Sequence, residues 1–182
     1  MRLFVAVDVP ERIKQSIESG IVGMLRDRLP DARWTRPQGR HLTLKFLGNV
    51  DDERVGEIGE ALRAVARKHR PFDASFDDIG GFPNLSRPRV LWIGVGEGAD
   101  PMSALAAGIE SGLEPLGFEP EGRPFRGHFT LARFPKPRVI GALPELDVPS
   151  DIFGVSDVVL FRSQLHPKGA RYTALERFPL SA

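Results

Sequence analysis

The 182-residue chain contains no cysteine. That absence removes disulfides, zinc-thiolate centres and thiol nucleophiles, and it suits a reducing, cytoplasmic setting. Charge of one sign is also scarce in excess: 25 Lys and Arg against 24 Asp and Glu leave a formal +1. No broad basic surface exists for gripping long nucleic acid, so any such contact must be local. No apolar run approaches the ~20 residues of a membrane helix. The opening run is broken by Asp8 and Pro10, too soon for a secretory core, and reads as a strand that opens the fold. A Gly-x-x-x-x-Gly-Lys-Ser/Thr loop is missing, so no ATP site of that type and no cofactor is implied. The chain also shows no clustered His and carboxylate ligand pattern, and no metal site is expected.

What is present is an ordinary globular composition, with 41% hydrophobic and 27% charged residues. That is enough apolar side chain for a sizeable core, and without a linker residues 1–182 read as one domain. Leu3 to Val9 reads as a strand. Ile13, Ile17, Ile21, Met24 and Leu25 then keep helical spacing through 11–29. Short extended stretches at 32–35 and 41–47 flank a Pro37-Gln38-Gly39 turn, and a second helix runs from Asp51 to about His69. Strands are expected at 72–76 and 90–95 around a Gly80–Asn84 loop. A third helix covers 101–116 up to Gly117, and 128–134 is a further strand. The tail supplies a strand pair at 155–161 and 172–178 around Pro167-Lys168-Gly169. Strands and helices mix without strict alternation, which predicts an α+β fold. One short pattern recurs 87 residues apart, near half the chain, which suggests two related lobes facing one another.

That pattern is His41-Leu42-Thr43-Leu44 and His128-Phe129-Thr130-Leu131. In a strand the side chains alternate faces, so each segment buries two apolar groups and presents an imidazole and a hydroxyl together, ~7 Å apart. A lone histidine in a strand usually serves structure, and short motifs mislead. The chain has only four histidines and four threonines, however. Two of the four histidines carrying the same Thr-Leu suffix has a chance on the order of 10⁻⁵ in a randomly ordered chain, before allowance for strand patterning. Two imidazoles facing two hydroxyls suit phosphodiester cleavage by water without a metal. One imidazole takes the proton of the attacking water, the other gives one to the departing ribose oxygen, and the hydroxyls donate to the non-bridging oxygens. The near-symmetry of the motifs leaves open which histidine does which.

The chain resembles the RNA 2′,3′-cyclic phosphodiesterases, long labelled 2′-5′ RNA ligases, of the two-histidine phosphoesterase superfamily. The resemblance covers nearly the whole chain: Met1-Arg2-Leu3-Phe4-Val5-Ala6, the segment from His41 through Lys45-Phe46-Leu47-Gly48, Pro88-Arg89-Val90-Leu91-Trp92, Arg123-Pro124-Phe125-Arg126, the segment from His128 through Ala132-Arg133, and the tail from Val159 to Tyr172. It implies two pseudo-symmetric lobes, each an antiparallel sheet with flanking helices, around a central cleft carrying both motifs. It further implies that His41 is the proton donor, that His128 is the acceptor, and that the product is an RNA 2′-phosphomonoester. The substrates it implies are RNA ends or small cyclic nucleotides, with no membrane and no obligate protein partner. Gly127 departs from the proline usual in this family before the second histidine, which loosens the backbone there.

Other residues carry weaker signals. The resemblance makes Arg133 a phosphate or ribose contact, although its odd offset from His128 places it on the opposite face unless the strand bends. Lys45 shares the His41 face by alternation. Arg123 and Arg126 flank the second motif, while Trp34, Phe82 and, less so, Trp92 are aromatic faces on which a base could stack. His69 at a helix end and His166 in a turn read as structural. The sibling readings are 2′-5′ RNA ligation by the reverse reaction and a non-catalytic module that binds RNA ends or nucleotides. A matched acid and base argue against the latter.

Overall fold

The computed structural model describes residues 1–166 and 170–182. The Pro167-Lys168-Gly169 turn expected from the sequence therefore lies outside the described residues. Among the described residues, ten strands and three principal helices follow one another in an α+β arrangement. Strand β1 (Arg2–Val7) leads into α1, which runs as Glu11–Ile17, a π turn Glu18–Val22 and Gly23–Arg26. Then come β2 (Arg33–Trp34), β3 (Leu42–Asn49) and α2 (Val55–Ala66). They are followed by β4 (Phe72–Ala74), β5 (Phe76–Phe82), β6 (Val90–Val95) and α3 (Ala99–Leu113). The chain closes with β7 (His128–Arg133), β8 (Phe153–Val155), β9 (Asp157–Gln164) and β10 (Arg171–Pro179).

Antiparallel pairing builds two halves, β10-β9-β1-β3 and β7-β6-β5, with β2 also on β7. They join through one register pair, Leu42 with Phe129, the residues just after the two motif histidines. The sheet has two apolar faces. Leu3, Val5 and Val7 with Val158 and Leu160 belong to the main core, which takes in Ile13, Ile17 and Leu25 of α1, Ile58 and Leu62 of α2, and Leu105 and Ile109 of α3. The alternate residues Phe4, Ala6, Val159 and Phe161 form a separate cluster on the other face. Period-2 alternation thus gives one face to the core and the other to the cleft.

Two expectations change. Gly80, Gly81 and Phe82 belong to β5, not a loop, and pair with Trp92, Leu91 and Val90. The reason is packing: a Cβ on Gly80 would lie 2.1 Å from the Trp92 ring, so glycine here is the condition for the indole to lie across the strand. In addition, the strands read at 72–76 and 155–161 are each broken, and their outer pieces β4 and β8 pair with one another as a separate two-stranded sheet. Long-range pairing of so short a piece leaves no periodic trace in the sequence. Among the described residues no helix is long and apolar enough to cross a membrane.

Candidate active site

The two motifs open onto one cleft of about 380 Å³, whose lining includes His41, Thr43, His128, Thr130 and Arg133. The two histidines, the two threonines and Arg133 thus come together, from motifs 87 residues apart. None of the described residues lining this cleft is acidic, whereas Arg2, Arg40 and Arg133 line it. The cleft is a local basic site in a protein of nearly neutral net charge.

Each motif is followed by a β-bulge, and the two bulges determine which side chains face the cleft. Along β3 the register runs from Thr43 opposite Ala6 to Lys45 opposite Val5, skipping Leu44. Along β7 it runs from Thr130 opposite Trp92 to Ala132 opposite Leu91, skipping Leu131. One extra residue reverses the alternation. Lys45 is therefore left out of the lining of this cleft: only 3% exposed, it donates to Glu110 of α3 and to the Glu119 carbonyl at 2.9 Å, on the wall of a neighbouring cavity. Strict alternation from His41 was wrong for it. The same device returns Arg133 to the cleft despite its odd offset, after the two buried residues Leu131 and Ala132. It also brings up Phe46, 58% exposed, which sequence reasoning missed because a bulge has no compositional mark.

The histidines are held in different ways. His41 lies over Phe4 with ring centroids 4.6 Å apart, is stacked with Phe161 at 5.5 Å, and meets Tyr172 edge-on at 5.1 Å. Burial, reinforced by the Lys14 ammonium and partly offset by Asp8, pushes its pKa down to about 4. His128 is anchored by a hydrogen bond from Nδ1 to the Arg126 carbonyl at 2.8 Å. Because a carbonyl only accepts, the proton of the neutral ring resides on Nδ1 and Nε2 carries the lone pair. Phe82 meets the His128 ring edge-on at 5.0 Å, and Trp92 lies 6.2 Å away. Burial lowers the His128 pKa, the Arg126 carbonyl acts against that, and Arg133 and Arg126 add to it.

A second cavity of about 860 Å³ adjoins the first and shares Thr43, Phe46 and His128 with it. Phe82, Phe125, Arg123 and Arg126 line it, and the Arg126 guanidinium stands 4.5 Å from the Trp92 ring centroid. Trp92 is buried, as the sequence suggested, but on the cleft face beneath His128. Trp34 packs against the core with the Arg26 guanidinium 5.8 Å from its ring. His69 faces Gly108 of α3, away from the cleft, and the exposed His166 does not line it. Gly127 lies close to Val95 and Met102. Its carbonyl accepts from the Val95 amide at 3.3 Å, and a Cβ there would meet Val95 and Met102 at 3.0 and 3.2 Å.

Comparisons with known proteins agree with this fold. The profile of the LigT like Phosphoesterase family matches residues 7–92 and again 93–172, one match for each motif. The RNA 2′,3′-cyclic phosphodiesterase of Archaeoglobus fulgidus is 36% identical over 98% of this chain and 99% of its own length. That of Thermus thermophilus is 37% identical over 99% of this chain and 90% of its own. A crystal structure of TT0787 from Thermus thermophilus superposes with a TM-score of 0.83 at 31% identity, over 99% of this chain and 98% of that one. Escherichia coli LigT complexed with 3′-AMP gives 0.78 at 27% identity, over 100% of this chain and 98% of that one. With both halves matched, and relatives aligned over nearly their full length, this chain belongs to the LigT-like phosphoesterase family.

Proposed function

We propose that the whole chain, residues 1–182, works as one bilobal enzyme that opens RNA 2′,3′-cyclic phosphate ends to 2′-phosphomonoesters, using no metal. The observation that carries this reading is the convergence of two imidazoles, two hydroxyls and Arg133 on one cleft without a carboxylate in its lining. The names and lengths of the relatives support the same substrate class.

His128 acts as the base: its Nε2 lone pair, set by the Arg126 carbonyl behind Nδ1, takes a proton from water as the oxygen attacks phosphorus. His41, protonated in the complex, gives its proton to the 3′ oxygen as the P–O3′ bond breaks. The hydroxyls of Thr43 and Thr130 and the Arg133 guanidinium hold the non-bridging oxygens, where charge gathers in the five-coordinate transition state. The product keeps phosphate on the 2′ oxygen. His128 then loses a proton to solvent and His41 regains one. The adjoining cavity, with Phe46 on its shared rim, fits the nucleoside of an RNA end or of a small cyclic nucleotide. A cytoplasmic setting fits the cysteine-free chain.

The deciding experiment incubates the protein with a dinucleotide ending in a 2′,3′-cyclic phosphate and resolves the 2′- from the 3′-monophosphate. A 2′-monophosphate is the expected product. A 3′-monophosphate would reverse the leaving group, and no turnover would leave only a binding module. A parallel arm with a 5′-hydroxyl oligonucleotide reads out 2′-5′ joining.

A further inference from the structure

The two sheet halves meet through one register pair, so β3–β7 backbone pairing only weakly defines how the two motifs stand relative to one another. A buried side-chain bridge crosses the same seam. Arg40, the residue before His41, is 2% exposed, and its guanidinium donates from Nε to the Thr35 hydroxyl at 2.9 Å and from Nη2 to the Thr35 carbonyl at 2.7 Å. The Thr35 hydroxyl in turn directs its proton at the Thr130 and Leu131 carbonyls, 2.8 and 2.9 Å away, and the Thr35 amide donates to Leu131 at 2.9 Å. A continuous path thus runs from the residue beside the first histidine to the backbone of the second motif. Arg40 Nη2 also donates at 2.7 Å to Glu18, on the π turn that interrupts α1. Such turns recur at functional sites.

This bridge is an unusual way to gain stability alone. Burying a guanidinium is costly, and well-packed apolar side chains commonly do as well or better in its place. Here Arg40 Nη1 is buried with no hydrogen-bond partner among the described residues, yet Arg40 and Thr35 both line the cleft that holds His41, His128 and Thr130. An unsatisfied buried donor calls for a reason beyond packing.

We propose that Arg40, Thr35 and Glu18 are positioning residues: a polar clasp across the seam between the lobes that holds the two His-x-Thr segments at the spacing the phosphoryl group requires. None of the three needs to touch substrate. The inference rests on the cyclic phosphodiesterase reading, because it is the in-line transfer between two imidazoles that makes the spacing matter.

The test compares Thr35→Val, which keeps shape and loses the hydroxyl, with Thr35→Ser, which keeps the hydroxyl, and Arg40→Lys, which keeps charge and loses the planar fork. Rates on the cyclic-phosphate dinucleotide are measured well below each variant's melting midpoint. Thr35→Val and Arg40→Lys are expected to lose about 10- to 100-fold in kcat with KM within about threefold, and Thr35→Ser to recover most of it. Wild-type kcat in both, or a loss that follows the unfolded fraction, would overturn the clasp. Equal loss in Thr35→Ser and Thr35→Val would do the same. A second readout is independent of turnover: the His41 and His128 imidazole NMR signals titrated with inorganic phosphate. They should saturate together in the wild type and separate in Thr35→Val, and identical curves in the two proteins would sink the proposal. If the wild type failed to open the cyclic phosphate, the activity reading would fall, while the titration would still judge the clasp.

Discussion

Phe46 and Arg133 are equivalent positions of two related segments: each stands five residues after its histidine, and each is returned to the cleft by a bulge at its motif's leucine. One lobe thereby contributes an exposed aromatic ring and the other a guanidinium, so symmetry of backbone yields asymmetry of chemistry. Arg133→Ala should lose about 10- to 100-fold in kcat/KM, the scale of a hydrogen bond to a charged group. Arg133→Lys should recover only part, because a single ammonium lacks the fork. Phe46→Ala should instead raise KM for a dinucleotide several-fold with kcat nearly intact. Steady-state kinetics of the three variants separate these effects, and equal losses in kcat for Phe46→Ala and Arg133→Ala would refute the division.

The division of labour between the histidines can be tested by substrate chemistry. An activated aryl ester, whose leaving group needs no proton, should rescue His41→Ala far more than His128→Ala, because only the acid step is bypassed. Equal rescue would refute the assignment, and preferential rescue of His128→Ala would reverse it.

Both histidines are pushed below their ordinary range in the free protein, His41 to about 4. Since kcat/KM reports the free enzyme, its pH optimum should fall on the acid side of about 6.5. A bound phosphate anion favours the imidazolium forms, so the kcat profile should lie at higher pH. NMR titration should show the His41 pKa rising when inorganic phosphate saturates the cleft. A value that stays at about 4 would remove His41 as the proton donor.

The same lowered pKa links His41 to stability. Its folded value lies below the unfolded one of about 6.5, so as pH falls the unfolded chain takes up the proton first. The contribution is fully present above about pH 6.5 and is lost as pH falls towards 4. On the order of 2 kcal/mol is at stake once partial solvation is allowed for. Denaturant melts of the wild type and His41→Asn should therefore converge from about pH 7 down to about pH 4, and parallel curves would contradict the burial argument.

Cleavage should continue undiminished in excess EDTA, because proton transfer needs only the two imidazoles. Strict dependence on an added divalent ion, measured with the same dinucleotide, would overturn the metal-free route.

The sequence by itself determined the α+β class, the three helices, most strands and the two motifs that meet in the cleft, because these rest on local period and on a repeated four-residue pattern. It put each histidine and its threonine on one strand face, since alternation is reliable over three residues of strand. Tertiary structure decided what lies beyond. Bulges at Leu44 and Leu131 took Lys45 out of the lining of the histidine cleft and brought Phe46 and Arg133 into it, and a bulge exists only in pairing with a neighbouring strand. The tautomer of His128 depends on where the Arg126 carbonyl turns, and the depressed pKa of His41 depends on rings contributed by β1, β9 and β10. The role of Arg40 likewise emerges only when Thr35 lies against β7, because burial and hydrogen bonding are properties of neighbours that the chain brings together only on folding.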